Sequence, residues 1–246
     1  MCIRDSLGTE WFPTATPSPI FGIVPLLSGT LWVSFFAILI ALPFGLAISI
    51  YLAEVAPPSV SKVLKPIIEL LNGIPSVVYG FFGLAVIVPL LQQTFDLPVG
   101  ESGLAGSLVL ALMALPTIIT VAEDAMRNCP RTMREASLAL GATQWQTIYK
   151  VVVPYSISGI TSGVVLGIGR AIGEAMAVMM VSGNVPNMPS LFQSVRFLTT
   201  AVASEMGYAA AGLQRQALFS IVLVLFLFIM LINAALNFFL KRSKEK

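Results

Sequence analysis

Long stretches without any charged residue constrain the fold of this chain most. Charge-free windows cover residues 11–53, 70–95, 102–122 and 216–240, and the window 151–195 contains only two charges. A helix of about 20 apolar residues is enough to cross the hydrocarbon core of a bilayer. With 57% hydrophobic residues overall, the chain is predicted to be an all-α membrane protein, a polytopic helical bundle. We expect five spans, at residues 26–52, 67–91, 103–120, 157–182 and 217–240.

The lysines and arginines predict the orientation of these spans. Basic residues concentrate in cytoplasmic loops of membrane proteins. Ten of the 14 basic residues fall on one side if the five spans alternate, and three fall on the other. The C-terminus and the segment 122–150 are therefore expected inside, and the start of the chain outside. The cytoplasmic set comprises Lys62, Lys65, Arg127, Arg131, Arg134, Lys150, Lys241, Arg242, Lys244 and Lys246.

The first 20 residues are expected to form an outer N-terminal segment. They contain no apolar stretch that would carry the N-terminus across, and they do not have the form of a signal peptide. Two explanations remain open. The first span inserts directly with its N-terminus outside, or an upstream span is missing from the chain. We prefer the second, which gives a protein of six spans.

Several classes of function are disfavoured by what the sequence lacks. The chain has no histidine, the commonest metal ligand and proton shuttle, and only two cysteines, Cys2 and Cys129. No phosphate-cradling loop of the form GxxxxGK[ST] occurs. The net charge of +2 does not suggest nucleic acid as a partner. We therefore expect no enzymatic chemistry, no metal site and no bound cofactor.

Arg170 and Glu174 are the two charges within the fourth predicted span. A charge at the bilayer centre costs about 2.5–3.5 kcal/mol even on the mildest insertion scale, so such residues usually mark a pathway for ions or substrate. A guanidinium binds oxyanions bidentately. The alternative is a structural ion pair, because residues four apart share one face of a helix. We interpret Arg170 and Glu174 as lining an anion pathway.

The second predicted span is interrupted near its cytoplasmic end by the sequence Asn-Gly-Ile-Pro-Ser, residues 72–76. Proline leaves backbone carbonyls unpaired, which a bilayer tolerates only where protein or a water-filled cavity satisfies them. Ser76 is therefore assigned to the same pathway. In the fourth span, glycines at positions 159, 163 and 167 form a ladder that lets a neighbouring helix approach closely.

The longest polar stretch, residues 122–150, is predicted to form a helix, a break at Gly141 and a second helix that begins near Thr143. Such a short, half-apolar element is suited to binding in a groove on a partner. It is equally suited to lying on the membrane surface. The residue pattern alone leaves both interpretations open.

The sequence of this stretch resembles the EAA loop of ABC importer permeases. Residues 135–154 read EASLALGATQWQTIYKVVVP, with Glu135, Ala136 and Ser137 followed by Gly141, Ile148 and Pro154. Ser137 stands where the motif has a second alanine, and Val153 where it has leucine. Four stretches resemble the permeases of the phosphate-specific importer, namely residues 73–84, 115–127, 135–148 and 169–184. Within that importer, two sequences indicate the PstC type rather than PstA. They are MAV at 176–178, after GE, and EMGY at 205–208.

This resemblance implies the MetI-like permease fold and the import of inorganic phosphate into the cytoplasm. It implies that Glu135, Ala136, Gly141, Trp145 and Ile148 contact a dimeric ATPase of the PstB type, which holds the ATP and Mg²⁺. The other implied partners are a PstA-type permease, an extracytoplasmic binding protein of the PstS type, and lipid. The expected location is a bacterial or archaeal cell membrane, the inner membrane in a diderm.

The implied organisation is an outer segment, residues 1–20, a transmembrane permease domain, residues 21–241, and a cytoplasmic tail, residues 242–246. The domain contains the coupling loop, residues 122–152. Other oxyanions, such as molybdate or sulfate, remain alternatives to phosphate. A secondary transporter or channel gated by Arg170 and Glu174 would predict an inverted repeat, which the two halves do not show. A mere membrane anchor for an ATPase would not need Arg170.

Overall fold

A computed structural model describes residues 8–13, 15, 19–209 and 211–244, with side chains up to Ala235. Most of the predicted outer segment, including residues 1–7, and the end of the tail, residues 245–246, lie outside the described residues. Within these ranges the chain forms one short antiparallel hairpin, β1 (Trp11–Phe12) and β2 (Ile20–Phe21), and eleven α-helices. The helices are α1 (Val24–Ile50), α2 (Pro58–Gly73), α3 (Ser76–Phe82), α4 (Val88–Thr94), α5 (Gly103–Arg127), α6 (Arg131–Ala139), α7 (Gln144–Thr147), α8 (Val153–Gly173), α9 (Met176–Val181), α10 (Leu198–Glu205) and α11 (Leu213–Lys244).

Five helical segments are long and apolar enough to cross a membrane, which agrees with the predicted number of spans. Single π-helical turns, Tyr51–Val55, Gly83–Ile87 and Ile148–Val152, join or extend the α-helices within the first, second and fourth of them. The spans are, in order, Val24–Val55, Ser76–Thr94, Gly103–Arg127, Gln144–Gly173 and Leu213–Ala235.

The second span begins at Ser76 and not at residue 67 as predicted. Ile74 is extended, with φ −67° and ψ 131°, because the residue before a proline is disfavoured in the helical region. The chain therefore breaks at Ile74 and Pro75. The preceding helix, α2, is amphipathic and none of its residues is buried.

The fourth span also differs from its predicted extent, since it ends at Gly173 rather than continuing to residue 182. Glu174 is extended, with ψ 135°, and α9 starts two residues later. The carboxylate of Glu174 accepts the N–H of Ala177, 3.1 Å away, and so caps α9. The hydroxyl of Thr199 donates to the carbonyl of Glu174 at 2.7 Å. These two bonds satisfy backbone groups that the break leaves unpaired.

The third span, α5, is the most buried of the five and packs between α1 and α8. The glycine ladder predicted in the fourth span lies on α8 and forms its contact with α5. A methyl group at Gly159 would overlap Ala125, and one at Gly163 would lie 3.1 Å from the Val121 Cβ. The backbones of these two helices are close because the glycines have no side chain.

A buried ion pair joins Arg196 and Glu205, on the side predicted to face outward, with 2.7 Å between the charged atoms. The indole N–H of Trp11 donates to the same carboxylate at 3.2 Å, and the Gln214 amide donates to its other oxygen at 3.3 Å. One carboxylate therefore joins the hairpin, α10 and the start of α11. Sequence reasoning placed Arg196 outside but did not pair it.

Candidate functional site

Arg170 is held by neutral oxygens from two other elements. Its Nη1 donates to the Asn72 amide oxygen, at the end of α2, and to the Thr117 hydroxyl of α5, 3.3 Å away. The Thr117 hydroxyl in turn donates to the same Asn72 oxygen at 3.1 Å. The Arg170 side chain is half-buried. The guanidinium, which α8 carries, is thus fixed in direction by α2 and α5, and neither of these contacts is with a carboxylate.

The alternative interpretation, a structural ion pair between Arg170 and Glu174, is wrong. Among the ion pairs of the described residues, none involves Arg170. Glu174 lies beyond the end of the helix, and one of its carboxylate oxygens caps α9 instead. The two residues do not share one face of a continuous helix, because the helix ends between them.

The Arg170 cluster lies near the middle of the membrane domain. Thr117 is close to the midpoint of α5, and Gly167, one turn before Arg170, packs against Ile118. Ser76 is the first residue of α3, just past the break, and is half-buried. Across the described part of the chain, its hydroxyl makes no hydrogen bond. The second span begins and the fourth ends close to this cluster. Helix ends near mid-depth are the arrangement in which transporters bind ions and substrates.

A cavity of about 680 Å³ lies beside this cluster, between the end of α1, α2, α3 and α5. Its walls are apolar side chains and the rings of Tyr51 and Tyr79. The Tyr79 hydroxyl donates to the Leu71 carbonyl at 2.8 Å. An anion in this cavity would lack donors, and burying an unpaired charge is strongly unfavourable. This cavity therefore does not suit an anion, and the anion-binding role of Arg170 stays a prediction.

The coupling loop has the predicted helix–glycine–helix form. The loop turns at Gly141, which has φ +84°, between α6 and α7. Thr143 begins α7 through a capping box, in which its hydroxyl and the Gln146 side chain each accept the other residue's backbone N–H. A methyl group at Gly141 would meet no atom within 4 Å. Glycine is thus favoured at this position by its backbone conformation and not by a lack of space.

Most of the predicted coupling residues are exposed. Glu135 and Ala136 lie on the open side of α6, and Trp145 stacks on Tyr149 with 6.1 Å between ring centroids. Leu140, at the tip beside Gly141, is 89% exposed. Ile148 differs because it is buried, so it anchors the loop to the membrane domain instead of facing outward. The coupling role of the set stays a prediction.

Charged residues at the span ends predicted to face the cytoplasm form contacts that the sequence analysis did not predict. Buried Glu123 accepts from Arg127 at 2.6 Å, and Lys65 of α2 bonds Asp124 at 2.9 Å. The hydrogen bond to Asp124 raises the pKa of Lys65 above its ordinary value. Glu54 pairs with Arg134 at 2.7 Å. Glu54 and Glu123 each directly follow a long charge-free window, which was the available sequence signal.

Comparison with known proteins agrees with this architecture. The family described as "Binding-protein-dependent transport system inner membrane component" matches residues 45–245. The chain belongs to this family.

Two curated relatives align with most of this permease. The "Probable ABC transporter permease protein YqgH" of Bacillus subtilis is 47% identical over 230 residues, with coverage of 91% of this chain and 74% of that protein. The "Phosphate transport system permease protein PstC" of Pasteurella multocida is 37% identical over 257 residues, with coverage of 96% and 79%. The resemblance to PstC-type permeases is thereby confirmed.

Solved structures show the same fold at lower identity. The MetNI methionine ABC transporter, in inward-facing conformations, aligns with a TM-score of 0.66 at 20% identity, covering 90% of this permease and 94% of that chain. A bacterial alginate ABC transporter aligns with a TM-score of 0.68 at 15% identity, covering 89% and 79%. The MetI-like, all-α fold is confirmed, and the chain is a multi-pass membrane permease of an ABC importer.

Proposed function

We propose that this permease moves inorganic phosphate into the cytoplasm and that Arg170 lies on the anion's path. The observation that carries the proposal is the neutral environment of the Arg170 guanidinium, which is held by Asn72 and Thr117 at mid-depth. An arginine with no carboxylate partner keeps its positive charge for a passing anion. PstC-type relatives support phosphate as that anion.

Ser76 and Glu174 are proposed to lie on the same path, each next to a helix break. The Ser76 hydroxyl can donate to a phosphate oxygen. The Glu174 carboxylate is on the outer side of Arg170 and disfavours prolonged occupation by an anion. A conducting site must bind weakly enough to release its ion. Glu174 would thus limit the residence time of the anion by repulsion, and not by pairing with the Arg170 guanidinium.

The remaining parts of the proposed importer act from outside this chain. A dimeric PstB-type ATPase binds the coupling loop and holds ATP and Mg²⁺, while this chain binds no cofactor. A PstA-type permease completes the pathway, and a PstS-type protein delivers phosphate at the outer face. The complex is placed in the cell membrane, the inner membrane of a diderm. The exposed tip at Leu140 and Trp145 supports the ATPase contact, because large apolar side chains there need a partner.

Uptake of radiolabelled phosphate, sulfate and molybdate by the reconstituted importer tests the proposal. Arg170→Gln should abolish phosphate uptake, and Arg170→Lys should keep little, because an ammonium cannot form the planar fork. Arg215→Gln is the matched control, since Arg215 is an exposed arginine at the outer end of α11.

Adding Glu174→Gln to Arg170→Gln should restore nothing, because the two residues are not paired in the structure. Normal phosphate uptake by Arg170→Gln, at normal membrane abundance, would refute the role of Arg170. Preferred uptake of sulfate or molybdate by the unmodified importer would refute phosphate and leave the oxyanion path in place.

A further inference from the structure

Both helices of the coupling loop reach one residue of the first span, Glu54. The Arg134 guanidinium, on α6, lies 2.7 Å from the Glu54 carboxylate. The Gln144 side-chain amide, at the start of α7, donates to the Glu54 backbone carbonyl at 3.2 Å. Glu54 itself lies in the π-helical turn that ends the first span. The loop therefore contacts both the side chain and the backbone of Glu54.

Arg134 also connects the loop to the third span. Its Nη2 donates to the Met126 carbonyl, near the end of α5, at 2.8 Å. The Arg134 side chain is 24% exposed and that of Glu54 is 10% exposed. Water competes little with a pair so far from solvent, so a displacement of Arg134 changes its attraction to Glu54 appreciably. This pair is accordingly suited to transmitting movement, in contrast to an exposed surface ion pair.

A cavity beside the Glu54–Arg134 pair shows that the loop contacts the first span mainly through these few polar contacts. A cavity of about 310 Å³ lies between the loop and the first span, lined by Glu54, Arg134, Leu138, Gln144, Thr147 and Ile148. Within the loop, the hydroxyls of Ser137 and Thr147 are 2.9 Å apart and hold α6 to α7. The loop is thus joined internally and at Ile148, yet α6 is not packed solidly against the first span.

We propose that Glu54 is the positioning residue through which movement of the coupling loop reaches the first span. This inference rests on the proposed function, in which an ATPase binds the loop. When the ATPase displaces α6, Arg134 pulls on the Glu54 carboxylate and Gln144 pulls on its carbonyl. The end of the first span then follows the loop, and α5 follows through Met126. Without the pair, the loop would move while the span stayed behind.

The number of phosphate ions imported per ATP hydrolysed, measured in proteoliposomes with the ATPase and binding protein, tests this inference. Glu54→Gln keeps the shape of the side chain and removes its charge, and Arg134→Gln removes the other charge. Both complexes should assemble and hydrolyse ATP, with the transport ratio lowered at least tenfold. The exchanged variant, Glu54→Arg with Arg134→Glu, should recover to within threefold of the parent. Asp124→Asn is the matched control, because it removes a charge from a different ion pair, the one with Lys65. It should leave the transport ratio unchanged.

Three results would overturn the inference. One is a ratio within twofold of the parent in the assembled Glu54→Gln complex. Another is an exchanged variant that assembles but stays as poorly coupled as the single variants. The third is loss of the ATPase from all of these variants, which would make the pair a support for the docking surface only. If the parent complex imports another oxyanion, the proposed substrate fails while the ratio for that oxyanion still decides the role of Glu54.

Discussion

Within the part of the chain that the structure describes, Arg170 combines a fixed direction with a charge that no carboxylate pairs. A carboxylate partner would fix the guanidinium equally well, but it would also neutralise it and compete with an incoming anion. The Asn72 amide and the Thr117 hydroxyl supply acceptor oxygens that carry no formal charge. At mid-depth in a membrane, where a charge is costly, such partners keep the site attractive to an anion. If Arg170 binds the anion as proposed, Asn72 and Thr117 contribute to affinity as well as to structure.

Thr117→Val should weaken phosphate binding during transport. The change removes the hydroxyl next to Nη1 of Arg170, and a hydrogen bond to a charged group contributes about 1.5–3 kcal/mol. Since Asn72 remains, we expect the lower value and a KM for phosphate raised about tenfold. Kinetics of uptake by the reconstituted importer measure this.

Thr120→Val is the control for Thr117, one turn away on the same helix. The Thr120 hydroxyl donates only to carbonyls of its own helix, to Pro116 at 2.9 Å and Thr117 at 3.2 Å. Its loss should leave the KM unchanged. Equal KM values for Thr117→Val and the parent would mean that Thr117 does not position Arg170.

At the scale of helices, the sequence predicts the number of spans well and their ends less well. The break in the second span was signalled by Pro75, although the helix before it, α2, was assigned partly to the membrane. The break at Glu174 carries no such signal. The bonds that satisfy it come from Thr199, 25 residues later, and from Ala177. Contacts between distant segments are not encoded in local periodicity, which also explains why Asn72 and Thr117 were missed as partners of Arg170.

Gly141→Val should uncouple the loop from its ATPase. Gly141 has φ +84°, a conformation that costs a β-branched residue more than the roughly 1–2 kcal/mol typical of other L-residues. The strain should displace α7 and the Trp145 face, so phosphate uptake should fall while membrane insertion persists. Gly141→Asn is the control, since asparagine tolerates this region. Normal uptake with Gly141→Val would argue against the loop as the coupling element.

Gly159→Ala should destabilise the contact between α5 and α8. The added methyl group overlaps Ala125, and overpacking of this kind typically costs about 1–3 kcal/mol. The thermal unfolding temperature in detergent should therefore fall. Gly169→Ala, on the same helix, meets no atom within 4 Å and should unfold at the parent's temperature. Identical values for the two variants would show that the glycine ladder is not needed for this packing.

For the whole molecule, the arrangement of basic residues predicted an orientation that labelling of single cysteines tests. With Cys2 and Cys129 replaced by alanine, Val99→Cys should react with an impermeant thiol reagent added outside intact cells. Lys62→Cys should react only after permeabilisation. Both positions are exposed in the structure, Val99 between the second and third spans and Lys62 on α2. The opposite pattern of labelling would invert the topology.

The three π-helical turns have a consequence for insertions and deletions in this gene. A π-helical turn accommodates one residue more than an α-helical turn, and each residue of an α-helix advances the direction of side chains by about 100°. The turn Ile148–Val152 lies between the coupling loop and the glycine ladder of α8. Deleting the Val151 codon there would leave every residue of the predicted coupling set and anion path present. Because the π-helical turn already holds one extra residue, its removal would leave an α-helical turn and would rotate the Trp145 face relative to Arg170 by much less than about 100°. An in-frame deletion of one codon at this turn should therefore harm transport less than the same deletion within α8.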